Sequence, residues 1–470
     1  MKTLVDPDRA LAAGLAAIRQ DYRLPDGFPA AVLAAAKATA ARPITDHVDR
    51  TAMRFVTLDP APSTDLDQAF VIERTGADLL LRYAIADVAW FVADGGVIDA
   101  EAWARGETIY LPDCKSNLYP PSLSEGAASL LPNVDRPAVV FAVRIDPNGK
   151  ASLDGAERAV IRSVAKLAYE SVRPEDLPAD FVELARRIEA AELARGAARV
   201  DPPEQEVSRG ADGRLHLAFR PRLAAEDQNA ALSLATNLAI AETLLAHHAG
   251  LFRVMAAPDG AAVARLRHVA EALRLDWPEK QPLEQFVRTL SSNDPAEAAF
   301  MLAERRAGGN AGYAPYRSGV RPWHAAMAAT YAHATAPLRR LADRYVVQAA
   351  LAVANAQPVP EVVQQAFERL PPVMAQGESR SGQVERAVID LAEAVLLIGR
   401  EGEVFAATVT DSDARGGHVQ LRDHPVIVRV ASPGLVPGEM LDVRLTEVDL
   451  VRRLVRFVPA VAEPKRASLG

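Results

Sequence analysis

The amino-acid sequence predicts an α+β protein in successive parts. A small helical segment covers residues 1–49, a mixed sheet with packed helices covers 50–399, and a five-stranded OB-type barrel covers 400–462, leaving 463–470 as a tail. Three observations carry this expectation. Between Phe55 and Ile161, apolar runs of strand length alternate with turn residues. From about Ala224 to Gly399, apolar residues recur at helical spacing. After residue 400 the pattern returns to short strands.

The first segment reads as two helices. Asp6-Pro7 is a cap followed by a proline, both suited to a helix start. Leu11, Leu15 and Ile18 follow at helical spacing, "LPDGFP" interrupts, and an alanine-rich helix runs from about Pro29 to Ala41. This segment reads equally as a docking or nucleic-acid-binding module and as a helical cap on the next domain. It carries no zinc-ligand spacing and no aromatic RNA-binding signature.

From Phe55, "FVTL" is a strand, and "QAFVIE" pairs with "DLLLRYAIADVAWFV" across "RTGA". "AVVFAVRID" and "KASLDGAERAVI" pair across "PNG", where Asn148-Gly149 suits a tight hairpin. Asp180 to Val200 is expected to be helical, and "RGADGRLHLAF" contains an Asp-Gly turn. The helices after Ala224 are expected to break at "RAGGNAGYAPYRSG" and at Pro371-Pro372. In the tail, "GEVFAATVTD", "GHVQL", "PVIVRV", "EMLDVRLTEV" and "RLVRFV" are strands joined by glycine-containing connections. That arrangement suits an OB-type barrel, a frequent nucleic-acid binder.

Composition sets outer limits. The chain has 470 residues and is 49% hydrophobic, enough for more than one domain. Cys114 is the single cysteine, so no intrachain disulfide forms and a reducing, cytoplasmic setting is expected. No run reaches the roughly 18 uninterrupted apolar residues of a membrane span. The first residues lack the basic-then-apolar pattern of a signal peptide, so no membrane association is expected. The net charge of −8 argues against nucleic acid only as an average, because a basic channel can sit inside an acidic protein.

The chemistry concentrates in "TLDPAPSTDLDQAF", Thr57 to Phe70, which holds Asp59, Asp65 and Asp67. Pro60 and Pro62 disfavour helix, and in extended chain residues i and i+2 face the same way. Asp65 and Asp67 would then converge. Clustered carboxylates repel unless a proton, an arginine or a metal lies between them. Hard oxygen ligands of this kind suit Mg²⁺ or Mn²⁺. A short "DxD" is more often a solvated acidic loop, since aspartate favours turns. Here three acids sit between two apolar strands, and that strengthens the metal reading.

This stretch resembles the aspartate motif of the RNase II (RNB) family of 3′-to-5′ exoribonucleases, T-[IL]-D-x5-D-x-D-D-A-[LF]. Further pieces agree in order: "AIADVAWFV", "IYLPDCKSNLYPPSLSEGAASLLPNVDRPAVVF", "AKLAYESV" and "YAHATAPLRRLADRYVVQ". The resemblance covers about Arg50 to Val458 and implies an RNB catalytic domain followed by an S1 domain. It implies processive, Mg²⁺-dependent hydrolysis of single-stranded RNA to 5′-nucleoside monophosphates. Asp59, Asp65 and Asp67 match three of the family's four metal-site aspartates, and Asp67 and Arg339 would be catalytic. Tyr110 matches a tyrosine that stacks on a terminal base. Tyr169, Tyr331 and Arg340 fall near the implied RNA path. A monomer is expected.

The chain also departs from the family. Gln68 stands where the motif has a fourth aspartate and would offer a neutral oxygen to a metal. "TAPL" replaces "TSPI", and "NAALSLATN" lacks an expected glutamate pair. The fifty residues before the catalytic domain are too few for a cold-shock barrel. Without the resemblance, Tyr110 reads as an ordinary strand aromatic, Tyr331 and His333 as packed helix residues, Arg339-Arg340 as a solvated helix face, and His247-His248 and His324 as structural. Two other functions remain open to the sequence: an RNA-binding protein of the same fold that has lost hydrolysis, and a metal-dependent phosphoesterase for small substrates.

Overall fold

The structure, a computed structural model, describes residues 2–4, 10–197, 204–210, 214–220, 222–291, 294–413 and 415–460. The Asp6-Pro7 helix start, the Asp-Gly turn at 212–213, the end of the expected helix at Val200 and the tail 463–470 lie outside the described residues.

A six-stranded mixed sheet organises the centre. Its order is Val48–Asp49, Ala151–Ala168, Phe55–Asp59, Gln68–Thr75, Asp78–Ala86 and Asp135–Ile145. Strand Ala151–Ala168 pairs antiparallel with Asp135–Ile145 over its first part and parallel with Phe55–Asp59 over its last part, closing the sheet on itself. Phe55 to Leu58 are all buried, as expected for an apolar run with a parallel neighbour. The expected Asn148-Gly149 turn joins the two long strands. Gly149 has φ +78°, and a Cβ there would come within 2.0 Å of the Arg187 carbonyl oxygen on helix Phe181–Arg195, so only glycine fits.

Two expectations are corrected. The strand through "YAIADVAWFV" stops at Ala86, because Asp87 caps a helical turn, Val88–Phe91, by accepting from the Trp90 backbone N–H at 3.2 Å. The helix Glu361–Leu397 runs unbroken through Pro371 and Pro372. Each proline costs about 3 kcal/mol. Against this, Val363, Phe367, Leu370 and Met374 pack into the main core and Val384, Val388 and Leu391 into a second cluster, each contributing about 1.5–3 kcal/mol. Burial on both sides of the prolines outweighs the lost hydrogen bonds.

The two N-terminal helices form as expected, over Ala10–Asp21 and Ala30–Ala40. They are a cap joined to the body. Leu11, Leu15 and Ile18 pack on the long helix at Val384, Val388 and Leu391, while Val32 and Ala36 enter the main core. Helix Ala224–Ala246 is long and apolar enough to cross a membrane by length and composition alone, but Leu232, Ala235, Ile240 and Leu244 bury it in the core.

The last five strands, Val404–Asp413, Gly416–Leu421, Ile427–Val430, Met440–Asp449 and Leu454–Pro459, close into the expected barrel. Phe405, Val409, Val419, Leu445 and Phe457 fill it, together with Leu397 from the end of the long helix. The barrel is seated on the body by Glu393, whose Oε1 accepts from Ile427 N at 2.9 Å and from Gln205 Nε2 at 2.6 Å. Ion pairs Arg306–Asp411 and Arg453–Asp21 add to the seam.

Candidate active site

The aspartate-rich loop is fixed from several directions. Lys166 Nζ donates to the carbonyls of Ala61 at 2.7 Å and Ser63 at 2.6 Å. Ser129 Oγ accepts from Leu66 N at 2.9 Å and donates to Thr64 O at 2.8 Å. Asp59 ends the parallel strand opposite Ala168, and the next residue, Tyr169, donates its N–H to Asp59 O at 3.2 Å. Strand pairing thus places Tyr169 beside the first aspartate.

The three aspartates have different surroundings. Asp67 is buried; its Oδ1 accepts from Leu338 N at 2.7 Å and its Oδ2 lies 3.5 Å from Arg339 Nε. Burial raises its carboxyl to about 8, against the opposing pull of Arg339. Asp59 is raised to about 6 by burial, again opposed by Arg339. Its Oδ2 is buried without a hydrogen-bond donor among the described residues. The negative charge of Asp65 pushes both carboxyls up, so the three groups share one electrostatic site. Asp65 itself accepts from Tyr110 Oη at 2.6 Å and Lys115 Nζ at 2.7 Å.

Beside this site lies a cleft of about 570 Å³. Tyr169, Tyr331, Gln68, Arg339 and Arg340 line it, as do Asn229, Ser233 and Asn237 from helix Ala224–Ala246. Asn229 Nδ2 donates to Tyr169 Oη at 2.8 Å, and Asn237 Nδ2 to Tyr331 Oη at 3.3 Å, fixing both rings. His333 also faces the cleft and is held neutral by burial and by Arg340 and Arg253. Arg339 is well exposed, and its carbonyl accepts from Thr108 N at 3.0 Å. That pairing carries the segment toward Tyr110, whose ring is exposed.

Tyr169, Tyr331 and Arg339 therefore lie on one cleft, and Tyr110 meets the site through Asp65. Two expected residues also make contacts within the protein. Arg340 borders the cleft, and its Nε and Nη2 donate to Asp343 at 3.0 and 2.8 Å. Asp343 also accepts from Ala336 N at 2.8 Å and so shapes the turn before Arg339. Gln68 Oε1 is expected to serve a metal, yet it already accepts from Tyr83 Oη at 2.7 Å and lies 3.2 Å from Ser233 Oγ. Lys115, Asn229, Ser233 and Asn237 were not anticipated. The last three were legible as a polar i, i+4, i+8 stripe on an apolar helix; Lys115 had no local signal.

The donors suit a hard divalent cation. Asp59 offers an unengaged buried oxygen, and Asp59 and Asp67 gain from a cation because burial, with the charge of Asp65, disfavours their ionised forms. Among the described residues no group of three or more His, Cys, Asp or Glu is arranged to hold a metal ion. The carboxylates would therefore leave positions for water or phosphate oxygen, the usual mode of Mg²⁺.

Residues 47–354 match the RNB domain, and residues 403–460 match the RNase II-type exonuclease C-terminal S1 domain. Ribonuclease R of Thermotoga maritima is 28% identical over 448 residues, spanning 87% of this chain and 62% of that protein. Exoribonuclease 2 of Enterobacter sp. is 28% identical over 415 residues, spanning 82% of this chain and 63% of that protein. The chain thus spans about three fifths of the length of these relatives. In structure it is similar to Mycoplasma genitalium RNase R in complex with ribose-methylated single-stranded RNA, with a TM-score of 0.84 and 21% identity, covering 97% of this chain and 79% of the other. The fold is also that of yeast Ssd1, a pseudonuclease, with a TM-score of 0.68 and 17% identity over 91% of this chain and 56% of the other. With its catalytic-domain match extending over well above half its residues, this chain belongs to the RNB family.

Proposed function

We propose that this protein is a processive 3′-to-5′ exoribonuclease that hydrolyses single-stranded RNA to 5′-nucleoside monophosphates, acting as a cytoplasmic monomer and using Mg²⁺, or Mn²⁺ in its place. The observation that carries this reading is the pairing of buried Asp67 with exposed Arg339 at the edge of a tyrosine-lined cleft. The relatives named for ribonuclease activity support it.

Asp59 and Asp67 would hold a divalent ion, which supplies positive charge against the scissile phosphate. Arg339 points a fork of donors from the cleft wall and stabilises charge developing on the phosphoryl oxygens. Tyr169 and Tyr331, fixed by Asn229 and Asn237, offer rigid surfaces along the path of the terminal nucleotides. In the net reaction water oxygen bonds to phosphorus, the bond to the upstream 3′-oxygen breaks, and that oxygen leaves with a proton.

One observation favours a second reading, an RNA-binding protein without hydrolysis. Gln68 brings no charge and its oxygen is engaged by hydroxyls. Incubation with 5′-labelled single-stranded RNA and Mg²⁺, with an EDTA control, separates the two. A ladder ending in a short oligomer, abolished by EDTA, supports the exonuclease. Retention of RNA without shortening supports the binding protein. No retention and no shortening rejects both.

A further inference from the structure

We infer that Lys115 is a resident cation of the active site: its ammonium stands in for a metal ion at Asp65, so the site takes a single divalent ion, anchored at Asp59. This rests on the metal-dependent reading above and specifies its stoichiometry.

Lys115 Nζ lies 2.7 Å from Asp65 Oδ1, 3.2 Å from Glu125 Oε1 and 3.3 Å from Thr64 Oγ1. An ammonium has three protons, and all three have acceptors here. The other oxygen of Asp65 accepts from Tyr110 Oη at 2.6 Å. Both Asp65 oxygens are therefore engaged, and by the two ends of a single hairpin, since Tyr110 and Lys115 are paired across strands Ile109–Tyr110 and Lys115–Ser116. The Lys115 side chain is 25% exposed and that of Asp65 9%, so the pair is poorly reached by competing water.

A metal ion seeking Asp65 would have to displace an ammonium and break the phenol bond. Gln68 gives it no compensation, because its oxygen accepts from Tyr83. Asp59 differs: one of its oxygens is buried without a donor.

The test counts bound ions independently of turnover. Free Mn²⁺ is followed by its electron paramagnetic resonance signal during titration of the full chain, alongside the RNA-shortening assay. We expect one tight Mn²⁺ per parent chain. Lys115→Gln keeps a donor toward Asp65 and removes the charge, and we expect two Mn²⁺ per chain; Lys115→Met is the second neutral variant should Lys115→Gln not fold. Lys115→Arg should remain at one. Two tight ions in a parent that shortens RNA would overturn the inference and leave the proposed function standing. A neutral variant that stays at one ion would overturn it too. A parent that binds no Mn²⁺ and leaves RNA intact would remove the proposed function itself.

Discussion

The backbone N–H of Leu338 donates to the Oδ1 of Asp67 at 2.7 Å, although the two residues are 271 positions apart. This contact joins the aspartate loop to the turn that presents Arg339. The turn is in turn shaped by Asp343, which accepts from Ala336 N. Aspartate and arginine are thus placed by the same short piece of backbone.

Asp67→Asn should abolish hydrolysis while retaining RNA binding. Asparagine keeps an oxygen for Leu338 N–H, so the loop and the cleft should survive. What is lost is a charge needed to hold a cation. Filter binding and the labelled-RNA assay, run side by side, check this. Turnover near the parent rate would remove Asp67 from the mechanism.

The fold was legible where local pattern and burial agree. The barrel strands alternate cleanly, and the Asn148-Gly149 hairpin has one feasible turn. Legibility failed where tertiary packing overrules local preference. Pro371-Pro372 is a break in any local reading, but the long helix is held by cores on both sides. In the site, the aspartates and Arg339 stood out through motif and charge. Arg340 was expected to face RNA, and its pairing with the buried Asp343 was not legible from its place beside Arg339. Lys115 was invisible, because its meeting with Asp65 depends on a hairpin packed against a distant loop.

The two neighbouring arginines should separate experimentally. Arg339→Ala should lower turnover by about 10²–10³, the effect of removing one donor aimed at developing charge, with little change in melting temperature. Arg340→Ala leaves the fully buried Asp343 without its partner and should cost about 3 kcal/mol of stability. Calorimetry and kinetics on both variants decide. Equal losses of stability would show that Arg339 is structural as well.

Tyr110 carries two roles that separate by substitution. Its phenol holds Asp65, and its exposed ring is available for stacking. Tyr110→Phe keeps the ring and should leave the length of the final RNA fragment unchanged. Tyr110→Ala removes a stacking surface worth roughly 1–3 kcal/mol per base and should release a longer final fragment. High-resolution gels of the end product read this directly. An unchanged fragment in Tyr110→Ala would exclude stacking there.

Glu393 should make the seating of the barrel depend on pH. Burial raises its carboxyl from 4.5 to about 8, against the hydrogen bonds from Ile427 N and Gln205, with Asp390 adding to the rise and Arg386 opposing it. The folded chain therefore retains a proton that the unfolded chain releases near 4.5. Between these values folding takes up a proton, so the contribution of Glu393 to stability falls as pH rises from about 4.5 to about 8 and levels off above. Glutamine cannot ionise, and its oxygen can still accept from Ile427 N. Glu393→Gln should match the parent near pH 4.5, exceed it increasingly up to about pH 8 by on the order of a few kcal/mol, and keep that margin above. Taking the difference between the two proteins cancels the similar pH dependence of Asp59 and Asp67. Denaturant unfolding at pH 5, 7 and 9 supplies the measurement, and a constant difference across that range would show that the Glu393 carboxyl is ionised in the folded protein at every pH tested.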